Sequence, residues 1–247
     1  MTCYCRGFMN KKKKITIILT SVVMLTILII TLLFVFCRVI PNRKEEEEWK
    51  LAIKQYRNTK ISKYIEENEN YDDYEVDVAF LGDSLTDGYN VELYYPQYLV
   101  ANRGIGGDTT FDLENRLQVS VYDLKPKVAV ILIGANNFRT MIDNYESIVK
   151  GLKYNLPNTE IVLLSLTSMS GELWGINNEL AAFNNVKIKL IANKYTCTFV
   201  DLYTPLFDYS SNGIKPEYTL DGGHLTSSGY EVITKVITPV LDNLLQN

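Results

Sequence analysis

Short apolar runs recurring between longer amphipathic ones constrain the fold of this chain more tightly than any other feature. VDVAFLG (76–82), YLVANRG (98–104), VAVILIG (128–134), IVLLSL (161–166) and CTFVDLY (197–203) read as strands. The third and fourth are almost continuously apolar, as strands covered on both faces are. The intervening spacing predicts helices near Thr110–Tyr122, Met141–Leu156, Ile176–Lys194 and Ser227–Leu245. Ile176, Leu180 and Phe183 are expected to mark one face of the third helix. Ile233, Ile237 and Leu241 mark one face of the fourth, which Pro239 is expected to kink or shorten. Strand–helix alternation at this period argues for an α/β fold, a parallel sheet with helices on both sides. Ligands of such sheets bind beyond the carboxyl ends of the strands.

The chain ahead of this pattern divides into three further segments. Residues 15–37, ITIILTSVVMLTILIITLLFVFC, carry no charge, proline or glycine. At ~1.5 Å per residue such a helix spans a ~30 Å hydrocarbon core. A cleaved signal peptide has a shorter apolar core followed by small residues; here Phe34, Phe36 and Arg38 stand at that point. A single transmembrane anchor is therefore expected. Lys11 to Lys14 and Arg6 precede it, against Arg38, Arg43 and Lys44 after it. That bias puts residues 1–14 in the cytoplasm and the remainder outside the cell membrane. Cys3 and Cys5 are weak candidates for acylation. In residues 38–71, Trp49, Ile53 and Tyr56, then Ile61, Tyr64 and Ile65, recur at helical spacing, and Glu46 precedes Lys50 by four. A helical stalk is expected there, its charged face solvated and without further role. Residues 72–247 form the compact domain.

Composition narrows the chemistry. The net charge of −4 comes with no pervasive basic surface, so nucleic acid is excluded as a partner. Only Cys197 lies outside the first 40 residues, which excludes a disulfide framework in the domain. The chain has one histidine. It can build no His-rich metal site, and neither a metal nor a cofactor is expected.

Four strand-end or pre-helix sequences carry candidate groups. Gly82-Asp83-Ser84-Leu85 puts a hydroxyl on a tight turn at the sheet edge, although these are also ordinary turn residues. Asn102-Arg103-Gly104-Ile105-Gly106-Gly107-Asp108-Thr109 frees the backbone for close approach to an anion. Its GxGG spacing on the second strand is not the dinucleotide fingerprint, and Asp108 or Thr109 suits a helix N-cap. Gly134-Ala135-Asn136-Asn137 places a carboxamide at a strand end. Asp221-Gly222-Gly223-His224 sets a carboxylate three residues ahead of the imidazole. A serine hydroxyl needs a base to become nucleophilic, and His224 is the only imidazole available. Asp221 can fix its tautomer and stabilise the imidazolium. The N–H groups of Ser84 and Gly107 and the Asn136 amide can receive the charge that develops on an attacked carbonyl oxygen.

In these blocks the chain resembles the SGNH (GDSL-like) hydrolases, a family of esterases, lipases and O-acetyl esterases. GDSLTDG (82–88), NRGIGGDTT (102–110), IGANN (133–137) and DGGHLTSSGY (221–230) stand in the family's order. The resemblance implies a nucleophile at Ser84, an Asp–His pair at Asp221 and His224, and oxyanion donors at Ser84, Gly107 and Asn136. Gly104 is the less favoured glycine. Many members carry aspartate where Asn137 stands; the branch resembling platelet-activating-factor acetylhydrolases also has two asparagines. The family implies a three-layer α/β/α sandwich with a five-stranded parallel sheet and no metal. A serine esterase for short-chain or O-acetyl esters of carbohydrate or lipid is expected. Acyl transfer through the same acyl-serine, or a binding module on a retired scaffold, are the alternatives. GELWGINNE (171–179) is expected near the pocket, with Trp174 either stacking on a sugar or packed; Tyr94 and Tyr95 are equally open.

Overall fold

The computed structural model describes residues 40–246 and, before them, only isolated positions between 19 and 38. Two units are distinguished, Met1–Tyr56 and Arg57–Asn247. The expected span at 15–37 falls mostly outside the described residues, as do residues 1–14 with Cys3 and Cys5. Among the described residues no helix is long and apolar enough to cross a membrane. Helix α1 (Ile40–Asn68) covers most of the expected stalk, and in the first unit Trp49, Ile53 and Tyr56 are exposed.

The second unit then runs through β1 (Val78–Gly82), α2 (Ser84–Asp87), α3 (Val91–Tyr94), β2 (Val100–Gly104) and α4 (Thr110–Asn115). It continues with β3 (Val128–Leu132), α5 (Met141–Asn155), β4 (Glu160–Leu164), α6 (Gly171–Trp174), α7 (Asn178–Tyr195), β5 (Thr198–Val200), α8 (Tyr203–Leu206) and α9 (Ser227–Leu245). The five strands β1 to β5 pair in parallel in the order β2-β1-β3-β4-β5. The direction of winding reverses between β1 and β3, which opens a crevice at their carboxyl ends.

Alternation along each strand builds the two sides of the core. From β3, Ala129 and Ile131 join Leu113, Tyr145, Ile148 and Ile188 on one side. Val128 and Val130 face Leu85, Tyr95, Ile233, Ile237 and Leu241 on the other. Helices therefore cover both faces, as the sequence pattern required.

Four expectations need correction. The predicted helix at Thr110–Tyr122 is two pieces: α4 ends at Asn115, and a π-helical turn covers Gln118–Tyr122. Arg116 between them leaves helical geometry and turns its guanidinium into the interior. Of Ile176, Leu180 and Phe183, the inner face expected for α7, only Leu180 packs against the core. Ile176 and Phe183 are exposed, and the buried positions are Asn178, Ala181, Asn184, Ile188, Ile191 and Ala192. Periodicity misled here because asparagines occupy inward positions and are satisfied there. Asn178 accepts from Met169 N–H at 2.8 Å, and Asn184 donates to Phe138 O at 2.8 Å. Pro239 does not shorten α9, which runs its full expected length. Burial of Ile233, Ile237 and Leu241, about 1.5–3 kcal/mol each, outweighs one lost backbone bond. Finally, the last turns of α1 are not a solvated face. Tyr64 is buried, and Arg57, Lys60 and Glu67 form ion pairs within the second unit.

Candidate active site

The first strand delivers Ser84 to the crevice. Gly82 ends β1, and Asp83 caps α2 by accepting the Leu85 N–H at 3.1 Å. Gly82 is required sterically, since a Cβ there would lie 2.2 Å from Leu132 O. Burial raises the Asp83 carboxyl to about 6; N–H bonds from Leu85, Gly134 and Ala135 oppose that rise, and Asp108 adds to it. Asp83 thus ties the serine turn to the loop after β3.

The histidine comes from the turn ahead of α9. Ser84 Oγ lies 3.0 Å from His224 Nε2, and His224 Nδ1 lies 2.8 Å from Asp221 Oδ2. The other carboxylate oxygen accepts the backbone N–H of Gly223 at 2.9 Å and of His224 at 2.8 Å. With an acceptor on Nδ1, the neutral ring carries its proton there and presents Nε2 as an acceptor toward the serine hydroxyl. Burial alone raises the Asp221 carboxyl. The bonds from His224 and Gly223 outweigh it and hold the group well below the usual carboxylate range. The Trp174 indole N–H contributes to this without meeting hydrogen-bond geometry. Gly222 has a φ of +94°, and a Cβ there would sit 2.1 Å from Ser170 O, so this turn depends on glycine.

The two candidate glycines differ in kind. The Gly104 N–H is taken by Asn102 Oδ1 at 2.8 Å, and a Cβ on Gly104 would collide with Asp87 N at 2.2 Å. Gly107 has a φ of +82°, and a Cβ there would meet nothing within 4 Å. Gly104 serves close packing, whereas Gly107 shapes a backbone bend facing open space. Asn136 Nδ2 donates to Asp108 O at 2.9 Å, next to Gly107. That amide carries a second N–H. Asn137 is occupied with α4, accepting the Thr110 N–H at 3.2 Å.

Sequence reasoning missed the support beneath these groups. Arg116 is buried and gathers the site's backbone, donating to Asp108 Oδ2 (2.7 Å), Gly82 O (3.0 Å), Arg103 O (2.9 Å) and Ser120 Oγ (2.7 Å). Burial raises the Asp108 carboxyl, opposed by Arg116 and Arg57. Of the two cap candidates, Asp108 and Thr109, it is Thr109 that caps α4, in a capping box with Asp112. An arginine in an amphipathic stretch reads as solvated, so nothing in its spacing announced the clamp.

Trp174, on α6, stands edge-on to the imidazole with ring centroids 5.5 Å apart, and Gly223 lies against its face. With Leu85, Ala135, Met169 and Gly223 it walls a hollow of about 10 Å³ beside Ser84 and His224. Tyr95 is buried against Phe80, and Tyr94 packs against Tyr89 and Tyr230. The described residues hold no cluster of His, Cys, Asp and Glu able to bind a metal.

A model of the GDSL-like Lipase/Acylhydrolase family matches residues 80–232. The chain is 29% identical over 184 residues to platelet-activating factor acetylhydrolase IB subunit alpha2 of Homo sapiens, covering 70% of this chain and 80% of that protein. Among solved structures it is similar to a GDSL-like lipase from Bacteroides thetaiotaomicron, with TM-score 0.67, 23% identity and coverage of 74% and 97%. An acetylxylan esterase from Geobacillus stearothermophilus gives TM-score 0.57, 19% identity and coverage of 68% and 95%. At these identities the structural likeness is one of fold.

Proposed function

The chain belongs to the GDSL-like lipase/acylhydrolase family, and from that membership we propose that it is a serine esterase for acetyl and similarly short acyl esters, with Ser84 as nucleophile. The contact that carries this is the 3.0 Å approach of Ser84 Oγ to His224 Nε2. Ser84 attacks the ester carbonyl while His224 accepts its proton. The ring then protonates the departing alcohol and leaves an acyl-serine. Water, deprotonated by the same nitrogen, attacks the acyl carbon and releases the acid, and the proton returns to Ser84. Asp221 holds the ring tautomer and stabilises the imidazolium. The N–H groups of Ser84 and Gly107 and the second N–H of Asn136 receive the oxyanion, where losing one donor typically costs ~10²–10³ in kcat.

The space beside Ser84 supports a short acyl group. The hollow beside Ser84, about 10 Å³, is on the order of one water. A methyl group fits where a longer chain must displace Trp174 or Met169. The name of the human relative, an acetylhydrolase, points the same way. For the alcohol part, we favour carbohydrate or lipid of the cell envelope, with residues 15–37 as an anchor and the esterase domain outside the membrane. The test is initial rates on p-nitrophenyl acetate, butyrate and octanoate, then acetate release from envelope polymers. Acetate should be preferred by at least tenfold per two added carbons; an octanoate preference defeats the short-acyl assignment. Protease added to intact cells should remove the domain, and protection would reverse the orientation.

A further inference from the structure

One face of α1 grips the loop that carries Gly107. Arg57, Lys60, Tyr64, Glu67 and Asn68 follow at intervals that share a helix side. Tyr64 Oη donates to Gly104 O at 2.6 Å, at the start of the loop. Lys60 Nζ lies 2.5 Å from Asp87 Oδ1, while Asp87 Oδ2 accepts the Gly106 N–H at 3.0 Å. Arg57 reaches Asp112 Oδ1 at 2.6 Å and Asp108 Oδ1 at 3.4 Å. Asp108 is buried, and its Oδ1 has no hydrogen bond; the Arg57 charge is what faces it. Glu67 and Asn68 bind the fully buried Arg103 guanidinium, which also lies 4.7 Å over the Tyr64 ring.

The helix thus fixes residues on both sides of Gly107: Gly104 and Gly106 before it, Asp108 after it. The Asp108 carbonyl in turn receives the Asn136 amide at 2.9 Å. The residues of α1 that make these grips lie ahead of the segment matched by the family, which begins at residue 80. We propose that Arg57 and Lys60 are positioning residues for the reaction: through Asp108 and Asp87 they hold Gly107 and Asn136 where the oxyanion forms. This rests on the oxyanion roles given to those two residues above. Arg57 and Lys60 side chains are about a quarter exposed, at 27% and 26%. Their truncation therefore removes charge and geometry but little core.

The experiment uses the full chain carrying Arg57→Ala, Arg57→Lys, Lys60→Gln and, separately, Asn136→Ala. Active sites are counted by the end-point of fluorophosphonate labelling. Then kcat and KM on p-nitrophenyl acetate, the inhibition constant of a trifluoromethyl ketone, and Tm are measured. Displacing a donor costs less than deleting one, so kcat per titrated site should fall about tenfold in Arg57→Ala and Lys60→Gln. KM should stay within twofold, and the ketone should weaken by the same factor as kcat. Arg57→Lys should recover part of the loss, because an ammonium can hold one of the two carboxylates but not both. A lower Tm with unchanged kcat per titrated site would overturn the proposal and leave α1 a structural prop. If Asn136→Ala also leaves kcat unchanged, the oxyanion assignment itself fails. If Asn136→Ala lowers kcat and the α1 variants do not, only the role given to α1 fails.

Discussion

Replacing Asp221 by asparagine should damage the enzyme more than replacing it by alanine, and the reason lies in how the carboxylate is held. Asp221 Oδ1 accepts two backbone N–H groups, from Gly223 and His224, while Oδ2 faces His224 Nδ1 at 2.8 Å. In Asp221→Asn the amide oxygen must keep the two-donor position, because an NH₂ there would meet two N–H groups. The amide nitrogen then faces Nδ1 and donates to it, forcing the ring proton onto Nε2. That nitrogen, 3.0 Å from Ser84 Oγ, becomes a donor and cannot take the serine proton. The same change in a serine-protease triad lowers kcat by roughly 10⁴. Asp221→Ala imposes no tautomer; at the ring it removes one charge-assisted bond of roughly 1.5–3 kcal/mol, and the two backbone N–H bonds lost with it from Gly223 and His224 are read by Tm. Asp221 and His224 side chains are 42% and 38% exposed, so solvent screening favours the low end, about a tenfold loss. Both variants are assayed for kcat on p-nitrophenyl acetate at pH 8, with Tm as the folding control. Equal losses, or an asparagine variant faster than the alanine one, would refute the tautomer argument.

Trp174→Ala should open the hollow beside Ser84 and raise the butyrate-to-acetate ratio of kcat/KM at least tenfold, since one methylene in a pocket is worth roughly 10–200-fold; an unchanged ratio would remove Trp174 from the acyl wall. Asp83 gives a pH test of stability. Its carboxyl stands at about 6 in the folded chain against 3.8 as reference, so the folded state holds this proton more tightly. The associated stability is complete below about pH 4 and is lost as pH rises through about 6, a change of roughly 3 kcal/mol at most. Asp83→Asn should therefore compare better with the parent chain at pH 7 than at pH 4 in Tm, and an equal difference at both pH values would contradict it.

The sheet and the candidate groups that the structure brings together were legible because each is written locally. Val128–Leu132 is a solid apolar run, and Asp221 and His224 are close enough in sequence to meet in one turn. Ser84 and His224 meet across 140 positions, and that pairing was readable only because one histidine exists to be paired. What stayed hidden was polar and long-range. Asn178 and Asn184 occupy core positions because Met169 N–H and Phe138 O satisfy them, and a hydrophobicity pattern cannot see a partner elsewhere in the chain. The same blindness concealed Arg116 under the site. It also made the end of α1 read as solvated: Arg57 and Lys60 are charges whose partners, Asp108, Asp112 and Asp87, lie in the domain they clasp.

The most direct test traps the acyl-enzyme. The full chain is mixed with p-nitrophenyl acetate, quenched in acid within the first turnover and digested for peptide mass spectrometry. A mass increase of one acetyl group is expected on Ser84, absent from Ser84→Ala and sharply reduced in His224→Gln. An acetyl group found on another residue while Ser84 stays unmodified, or full turnover by Ser84→Ala, would contradict the assignment of Ser84 as nucleophile.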